Sequence, residues 1–134
     1  MVDDFEAFRR FVCSELGKRP ELQIIGEASD GLEAVQKAAE LQPDLITLDI
    51  GLPTLNGIEA AKRIHRVASS AKILFLTQNN DTDVVRAALR NGAKGYVLKL
   101  DASKQLLNAV ESVLQGDRFV SVSVNHGDGR PSLD

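Results

Sequence analysis

Short, continuous apolar runs alternate along this chain with segments in which apolar residues recur every three or four positions. Continuous apolar runs indicate strands that are buried on both faces, and the periodic segments between them indicate amphipathic helices. The runs lie at 45–49, 72–77 and 95–99, and a more polar strand is expected at 22–28. Regular alternation of strand and helix predicts an α/β fold, in which helices cover both faces of a parallel sheet and the connections are right-handed.

Helix positions are predicted from the residues that cap and terminate the periodic segments. Helices are expected at about 4–16, 57–67, 82–91 and 102–114. Another helix should follow the turn at 29–31 and stop before Pro43, because the residue ahead of a proline avoids helical geometry.

Composition and charge limit the class of protein. The chain has 134 residues, of which 43% are hydrophobic and 26% charged, which suits one globular domain. No apolar stretch approaches the length of a membrane span, and the acidic start is unlike a signal peptide, so we expect a cytoplasmic protein without membrane contact. A formal net charge of −3 argues against direct nucleic-acid binding. The single cysteine, Cys13, excludes an internal disulfide and is expected in the core.

Functional side chains end three of the predicted strands. Asp49, Thr77 and Lys99 stand at the carboxyl ends of their runs, and parallel strands would bring them to one rim of the sheet. The acidic pair Asp3-Asp4 should enter the same rim from just before the first helix. Carboxylates that converge repel one another unless a cation lies among them, and an all-oxygen set of ligands suits Mg²⁺.

These residues, taken in order, carry a resemblance to a known family. The positions that carry it are Asp3-Asp4, Asp49 followed by Pro53 and Gly57, Thr77, Tyr96 and Lys99. Together they resemble the receiver domain of a bacterial two-component response regulator, over about residues 2–116. The strings around Ser29-Asp30-Gly31 and 95–103 are most similar to receivers that precede a helix-turn-helix DNA-binding domain. The resemblance implies a flavodoxin-like, doubly wound parallel sheet with strand order 2-1-3-4-5.

The resemblance also implies roles for the rim residues. Asp49 would be the phosphoacceptor, and its carboxylate would attack phosphorus in line to form an aspartyl phosphate. Mg²⁺ would be held by Asp4, Asp49 and the backbone carbonyl of Gly51, with Asp3 bound through water.

Three further residues would respond to the phosphoryl group. Lys99 would pair with it as a point charge, and the Thr77 hydroxyl would donate a hydrogen bond to another of its oxygens. The aromatic ring of Tyr96 would follow the threonine by changing rotamer, which would alter the face formed by the later helices and the strand at 95–99.

The partner implied is a sensor histidine kinase, with output through protein contacts or dimerisation and transcription control by a DNA-binding domain outside this sequence. Such a domain phosphorylates and slowly dephosphorylates itself but is not otherwise an enzyme. One alternative is a pseudo-receiver, a phosphate-independent module that binds proteins. Another is a phosphatase of the haloacid-dehalogenase type, which is disfavoured because Gly51 occupies the place of its second aspartate.

The two ends of the sequence depart from the family pattern. Only Met1 and Val2 precede the acidic pair, where the fold needs a central strand, so the first strand is expected to be truncated by a late start codon or a shortened chain. The receiver is expected at 1–116 and a tail or linker at 117–134. Alternating residues at 119–124 are typical of a strand, which could fill the vacant central position within one chain or between two swapped chains. The alternative, which is favoured, is that these residues form a loosely ordered linker.

Overall fold

The computed structural model describes residues 1–121 and builds them from alternating helices and strands. The helices are α1 Glu6–Leu16, α2 Gly31–Leu41, α3 Gly57–Val67, α4 Thr82–Arg90 and α5 Ala102–Leu114, with a short 3₁₀ helix at Lys99–Asp101. The strands are β1 Leu45–Leu48, β2 Lys72–Thr77, β3 Gly95–Leu98 and β4 Phe119–Val120. Side chains of Asp30, Asn56 and Asp81 cap the starts of α2, α3 and α4.

The strands form one parallel sheet in the order β1-β2-β3-β4. Val2 lies beside β1 on its other side, where it forms parallel bridges to both Leu48 and Ala28. The segment around Ala28, Val2, β1, β2 and β3 therefore follow one another in the flavodoxin-like order 2-1-3-4-5. The α/β class and the parallel sheet predicted from the alternation are confirmed.

The two faces of the sheet bury separate sets of side chains. In β2, Ile73 and Phe75 pack toward α2, α3 and α4, whereas Leu74 and Leu76 pack toward α1 and α5. All four side chains are at most 1% exposed, which is why the run is continuously apolar in sequence. Within the described residues, no helix combines the length and apolar character needed to cross a bilayer.

The strand predicted at 22–28 is wrong for most of its length. Only Ala28 forms a β-bridge, and Ile24 and Ile25 remain 38% and 46% exposed. Apart from a turn bond from the Leu22 amide to the Arg19 carbonyl, the backbone partners of this segment among the described residues are Met1 and Asp3. A strand needs a neighbouring backbone along its whole length, and the local sequence alone does not supply one.

The C-terminal segment extends the sheet at its far edge. Phe119–Val120 pairs in parallel with β3, and the Ser121 amide donates to the Tyr96 carbonyl at 2.8 Å. The hypothesis that this segment fills the central position beside Val2 is therefore wrong for residues 119–121. Gly116, with φ 96°, turns the chain directly after α5, and that helix packs against β3. Residues 122–124 of the predicted strand lie outside the described residues.

Candidate functional site

Two buried carboxylates meet at the carboxyl end of the sheet. Asp49 follows β1 directly, is 7% exposed, and its amide donates to the Val2 carbonyl at 3.1 Å. Asp3 is fully buried, and its amide donates to the Ala28 carbonyl at 3.0 Å. The sheet hydrogen bonds on either side of Val2 thus fix the backbone of both acidic residues.

A single ammonium group compensates both carboxylates. The Lys99 Nζ atom lies 2.8 Å from Oδ2 of Asp3 and 3.5 Å from Oδ2 of Asp49. Its side chain is 12% exposed, and Nζ also lies 4.5 Å from the centre of the Phe8 ring. One cation therefore lies between two carboxylates and over an aromatic face, in a region of low dielectric where it compensates only part of their negative charge.

The loop that carries Asp3 is held by contacts that sequence analysis missed. The Phe5 amide donates to Oδ1 of Asp3 at 2.8 Å. Arg9 donates to the Asp3 carbonyl at 2.7 Å and lies 3.4 Å from a Glu27 carboxylate oxygen. The Arg9 side chain is only 19% exposed. Arg9 lies one turn into α1, five residues after Asp4, and its position in the sequence alone did not indicate these contacts.

The Asp3 carboxyl group has a perturbed proton affinity. Burial raises its pKa above the ordinary value, because the charged form loses its hydration. Hydrogen bonds from Lys99 and from the Phe5 amide oppose that rise, and the negative charge of Asp49 adds to it. Asp3 is therefore an acid whose ionised form depends on nearby positive charge.

An acidic triad surrounds the open side of the rim. Asp3, Asp4 and Asp49 each offer a carboxylate oxygen, and these oxygens all lie within 4.8 Å of one another. Asp4 is exposed, and with Asp49, Gly51 and Lys99 it lines a depression at the surface. Three hard oxygen donors with one solvent-facing member fit a small divalent cation that keeps part of its water shell.

The glycine in the predicted pattern is needed for packing against the acidic residue. A Cβ atom on Gly57 would lie 2.1 Å from the carbonyl oxygen of Asp49 and 2.7 Å from Cα of Ile50. The Gly57 amide also donates to the Ile50 carbonyl at 2.8 Å. The start of α3 therefore rests directly on the backbone that presents Asp49, and only glycine permits this approach.

Thr77 and Tyr96 contact the same loop residue. The Asn79 amide donates to the Thr77 hydroxyl oxygen at 3.3 Å, and the Tyr96 hydroxyl donates to the Asn79 carbonyl at 2.5 Å. Tyr96 is fully buried, and burial, with smaller contributions from Asp49 and Asp81, raises the pKa of its phenol. A movement of the loop after β2 would therefore change the hydrogen bonds of both side chains.

The structure brings the rim residues predicted from sequence into this one region, and comparison with known proteins gives the family. A model described as the response regulator receiver domain matches residues 1–111. The chain belongs to the receiver domain family. Receiver domains are the phosphoryl-accepting switches of two-component systems, are generally not enzymes in their own right, and interact with histidine kinases.

Curated relatives of this receiver include a transcriptional regulatory protein and a response regulator. The chain is 38% identical over 117 residues to the transcriptional regulatory protein LiaR of Bacillus subtilis, covering 87% of this chain and 56% of LiaR. It is 32% identical over 121 residues to the nitrate/nitrite response regulator protein NarL of Escherichia coli K12, covering 90% of this chain and 56% of NarL. The chain thus spans about half the length of the curated relatives it matches.

Solved structures share the fold of this receiver. A LuxR-family two-component response regulator from Aurantimonas superposes with a TM-score of 0.87 at 32% identity, over 92% of this chain and 88% of that one. The response regulator domain of Thermotoga maritima CheB superposes with a TM-score of 0.79 at 34% identity, over 85% of this chain and 92% of that one.

Proposed function

We propose that Asp49 accepts a phosphoryl group from a sensor histidine kinase and that the receiver thereby controls protein contacts. The observation that carries this proposal is the position of Lys99 between Asp3 and Asp49 at the edge of an acidic triad. A fixed cation beside the carboxylate that would be phosphorylated stabilises charge that appears on the transferred group.

The chemistry proposed for Asp49 is an in-line phosphoryl transfer. One carboxylate oxygen attacks phosphorus, and the new O–P bond forms as the bond between phosphorus and the donor's imidazole nitrogen breaks. In the free protein, Oδ1 of Asp49 accepts from the Gly51 amide at 3.3 Å, and Oδ2 faces Lys99. Lys99 would then pair with one phosphoryl oxygen, and the Thr77 hydroxyl would donate to another.

The cation proposed for the acidic triad is Mg²⁺. Asp4, Asp49 and the Gly51 carbonyl would bind it directly, and buried Asp3 would bind it through water. When bound, Mg²⁺ would offset negative charge on the phosphoryl oxygens. Carboxylate and carbonyl oxygens without nitrogen or sulfur donors suit this ion.

The output proposed for this receiver passes through Thr77 and Tyr96. Contact of Thr77 with a phosphoryl oxygen would shift the loop at Asn79, and Tyr96 donates its hydroxyl hydrogen bond to that loop. The surfaces of α4, β3 and α5 would then change, with a second receiver or another protein as partner. We assign residues 1–116 to the receiver and 117–134 to a tail or linker.

The relative LiaR is named a transcriptional regulatory protein and is longer than this chain, so we propose transcription control through a DNA-binding domain outside this sequence. The acidic receiver itself would not bind nucleic acid and would act in the cytoplasm.

Intact mass after incubation with Mg²⁺ and acetyl phosphate tests the assignment of Asp49. We expect one added phosphoryl group in the unmodified chain and none in Asp49→Asn. Asp44→Asn is the matched control, since Asp44 is exposed at the other end of β1 and should leave uptake unchanged. Uptake by Asp49→Asn at the unmodified rate would contradict the assignment.

A further inference from the structure

Arg9 contacts the main chain of the acidic pair from outside the depression at the rim. Its Nη1 atom donates to the Asp3 carbonyl at 2.7 Å, and its Nε atom lies 3.4 Å from a carboxylate oxygen of Glu27. The described residues that line the depression include Asp4 and Asp49 but not Arg9. Any effect of Arg9 on the site therefore passes through the residues that its guanidinium group holds.

The two contacts of Arg9 use different nitrogen atoms of one planar guanidinium group. Because that group is rigid, the ion pair at Nε restricts the plane in which Nη1 reaches the Asp3 carbonyl. Glu27 directly precedes Ala28, whose carbonyl accepts from the Asp3 amide at 3.0 Å. Residues 27–28 therefore hold both polar groups of the Asp3 backbone, the amide directly and the carbonyl through Arg9.

The start of α1 directs the Arg9 side chain toward the acidic pair. The Arg9 amide donates to the Phe5 carbonyl at 3.1 Å, within the first turn of the helix. Helical side chains lean toward the amino terminus of their helix, so the guanidinium group reaches back past Phe5 to Asp3. The Phe5 amide in turn donates to Oδ1 of Asp3 at 2.8 Å. The first turn of α1 and the acidic pair thus form one hydrogen-bonded unit.

The bond to the Asp3 carbonyl restricts where the next residue lies. The Asp3 carbonyl and the Asp4 amide belong to one planar peptide unit, so a donor that fixes the carbonyl also fixes the direction in which the chain enters Asp4. Asp4 is exposed, so its carboxylate gains little from packing and its position depends on the backbone. Its place within 4.8 Å of oxygens of Asp3 and Asp49 therefore depends on how that peptide is oriented.

We propose that Arg9 is a positioning residue for the metal site and acts by fixing the peptide between Asp3 and Asp4. This inference rests on the Mg²⁺ site proposed above, and it concerns affinity for the ion rather than attack on phosphorus. Residues that orient metal ligands without touching the metal typically contribute about tenfold or more to metal affinity. Arg9 would make such a contribution through its bond to the Asp3 carbonyl.

The sign of the effect separates positioning from electrostatics. A positive charge near an acidic site repels a divalent cation, so its removal should by itself strengthen binding of Mg²⁺. Loss of Arg9 should instead weaken binding, because Asp4 is no longer held beside the other ligands. Arg10 is the matched control, since it is the next residue in α1, carries the same charge, has a side chain that is 78% exposed and pairs with Glu6.

Titration of the full chain with MgCl₂, without a phosphodonor, tests the role of Arg9. Amide chemical shifts in the NMR spectrum give the dissociation constant and show whether each variant is folded. Arg9→Ala is expected to raise the dissociation constant of Mg²⁺ about tenfold, whereas Arg10→Ala should leave it unchanged or slightly lower it. Arg9→Lys keeps the charge but has one nitrogen in place of the fork, so its dissociation constant should lie between those of Arg9→Ala and the unmodified chain.

The role of Arg9 is overturned if Arg9→Ala binds Mg²⁺ as tightly as Arg10→Ala does. If Arg9→Ala is unfolded, Arg9→Lys decides in its place, since weaker binding than in Arg10→Ala supports the role and equal binding overturns it. Asp4→Asn separates this inference from the metal site itself. Equal affinity in Asp4→Asn and the unmodified chain would reject the site together with the role of Arg9. Lost affinity in Asp4→Asn with unchanged affinity in Arg9→Ala would reject the role alone.

Discussion

At the scale of single residues, Lys99 compensates the buried carboxylates of the acidic rim and so allows the rim to form in a folded chain. Its ammonium group lies within ion-pair distance of two carboxylates that together expose almost no surface. Burial of unpaired charges of the same sign is costly, so the cation is as much a condition for folding as a part of the chemistry. The Phe8 ring beneath Nζ holds the ammonium in this position.

The contact between Gly57 and Asp49 predicts a large effect of one methyl group. Gly57→Ala is expected to lower the free energy of unfolding by about 2 kcal/mol, because the start of α3 must move away from the Asp49 carbonyl. Phosphoryl uptake should fall as well. Urea denaturation measures the first effect and intact mass the second. Gly51→Ala is the control, since a Cβ there meets nothing within 4 Å; equal losses in both variants would contradict the packing argument.

The raised pKa of Asp3 predicts how stability depends on pH without divalent cations. The folded state binds a proton to Asp3 more readily than the unfolded state does. Ionised Asp3 therefore destabilises the fold above its raised pKa, and this loss is recovered as the pH falls toward the ordinary aspartate value. Asp3→Asn should be more stable than the unmodified chain at pH 8, and the difference should shrink on acidification. Urea denaturation across this range measures it, and a constant difference would refute it.

At the scale of elements, β4 is a short strand with contacts to the switch region. Val120 pairs with Tyr96 and packs against the same core cluster, and the Ser121 amide bonds to the Tyr96 carbonyl. The fully buried Ser121 hydroxyl also donates to a carboxylate oxygen of Asp101. The segment after α5 thus contacts the backbone of Tyr96, whose hydroxyl is hydrogen-bonded to the loop after β2.

The hydrogen bond from Ser121 to Asp101 predicts that the Ser121 hydroxyl contributes measurably to the free energy of unfolding. Ser121→Ala should lower the free energy of unfolding by about 1 to 2 kcal/mol, because it removes a buried hydrogen bond to a carboxylate. Hydrogen exchange along β3 should become faster in the same variant. Ser70→Ala changes an exposed hydroxyl in the turn before β2 and should have no effect on either quantity. A Ser121→Ala variant as stable as Ser70→Ala would show that the bond contributes nothing.

Elements were predictable from sequence where local pattern and tertiary environment agree. The bounds of β2 at 72–77 and α3 at 57–67 follow from the pattern, because continuous burial and clear capping residues leave one reading. The segment 22–28 was also predicted as a strand, but Gln23, Gly26 and Glu27 interrupt its apolar residues and it lacks backbone partners along most of its length. The meeting of Asp3, Asp49 and Lys99 at one rim followed from parallel topology. The role of Arg9 was not predictable, because its contacts with the Asp3 carbonyl and the Glu27 carboxylate depend on tertiary structure.

At the scale of the whole molecule, binding of Mg²⁺ should stabilise the fold. A cation that binds only the folded acidic triad shifts the unfolding equilibrium by mass action, by about 2.7 kcal/mol when its free concentration is one hundred times its dissociation constant. We expect the midpoint of thermal unfolding to rise with Mg²⁺ and to return on chelation. Asp4→Asn removes the exposed member of the triad and should abolish the rise without loss of folding. An equal rise in that variant would place the ion elsewhere.

The β-bridges of Val2 couple the pairing of the segment 1–3 to the integrity of the acidic triad. Segments with few ladder bonds open locally at little cost in free energy, and the segment 1–3 is joined to its neighbours only through the backbone bonds of Met1, Val2 and Asp3 among the described residues. Fraying of these residues would withdraw a carboxylate from the acidic triad and leave Lys99 facing Asp49 alone. Local opening of the segment 1–3 and loss of the intact triad are therefore one equilibrium, and any ligand that binds the intact triad also stabilises the pairing of this segment.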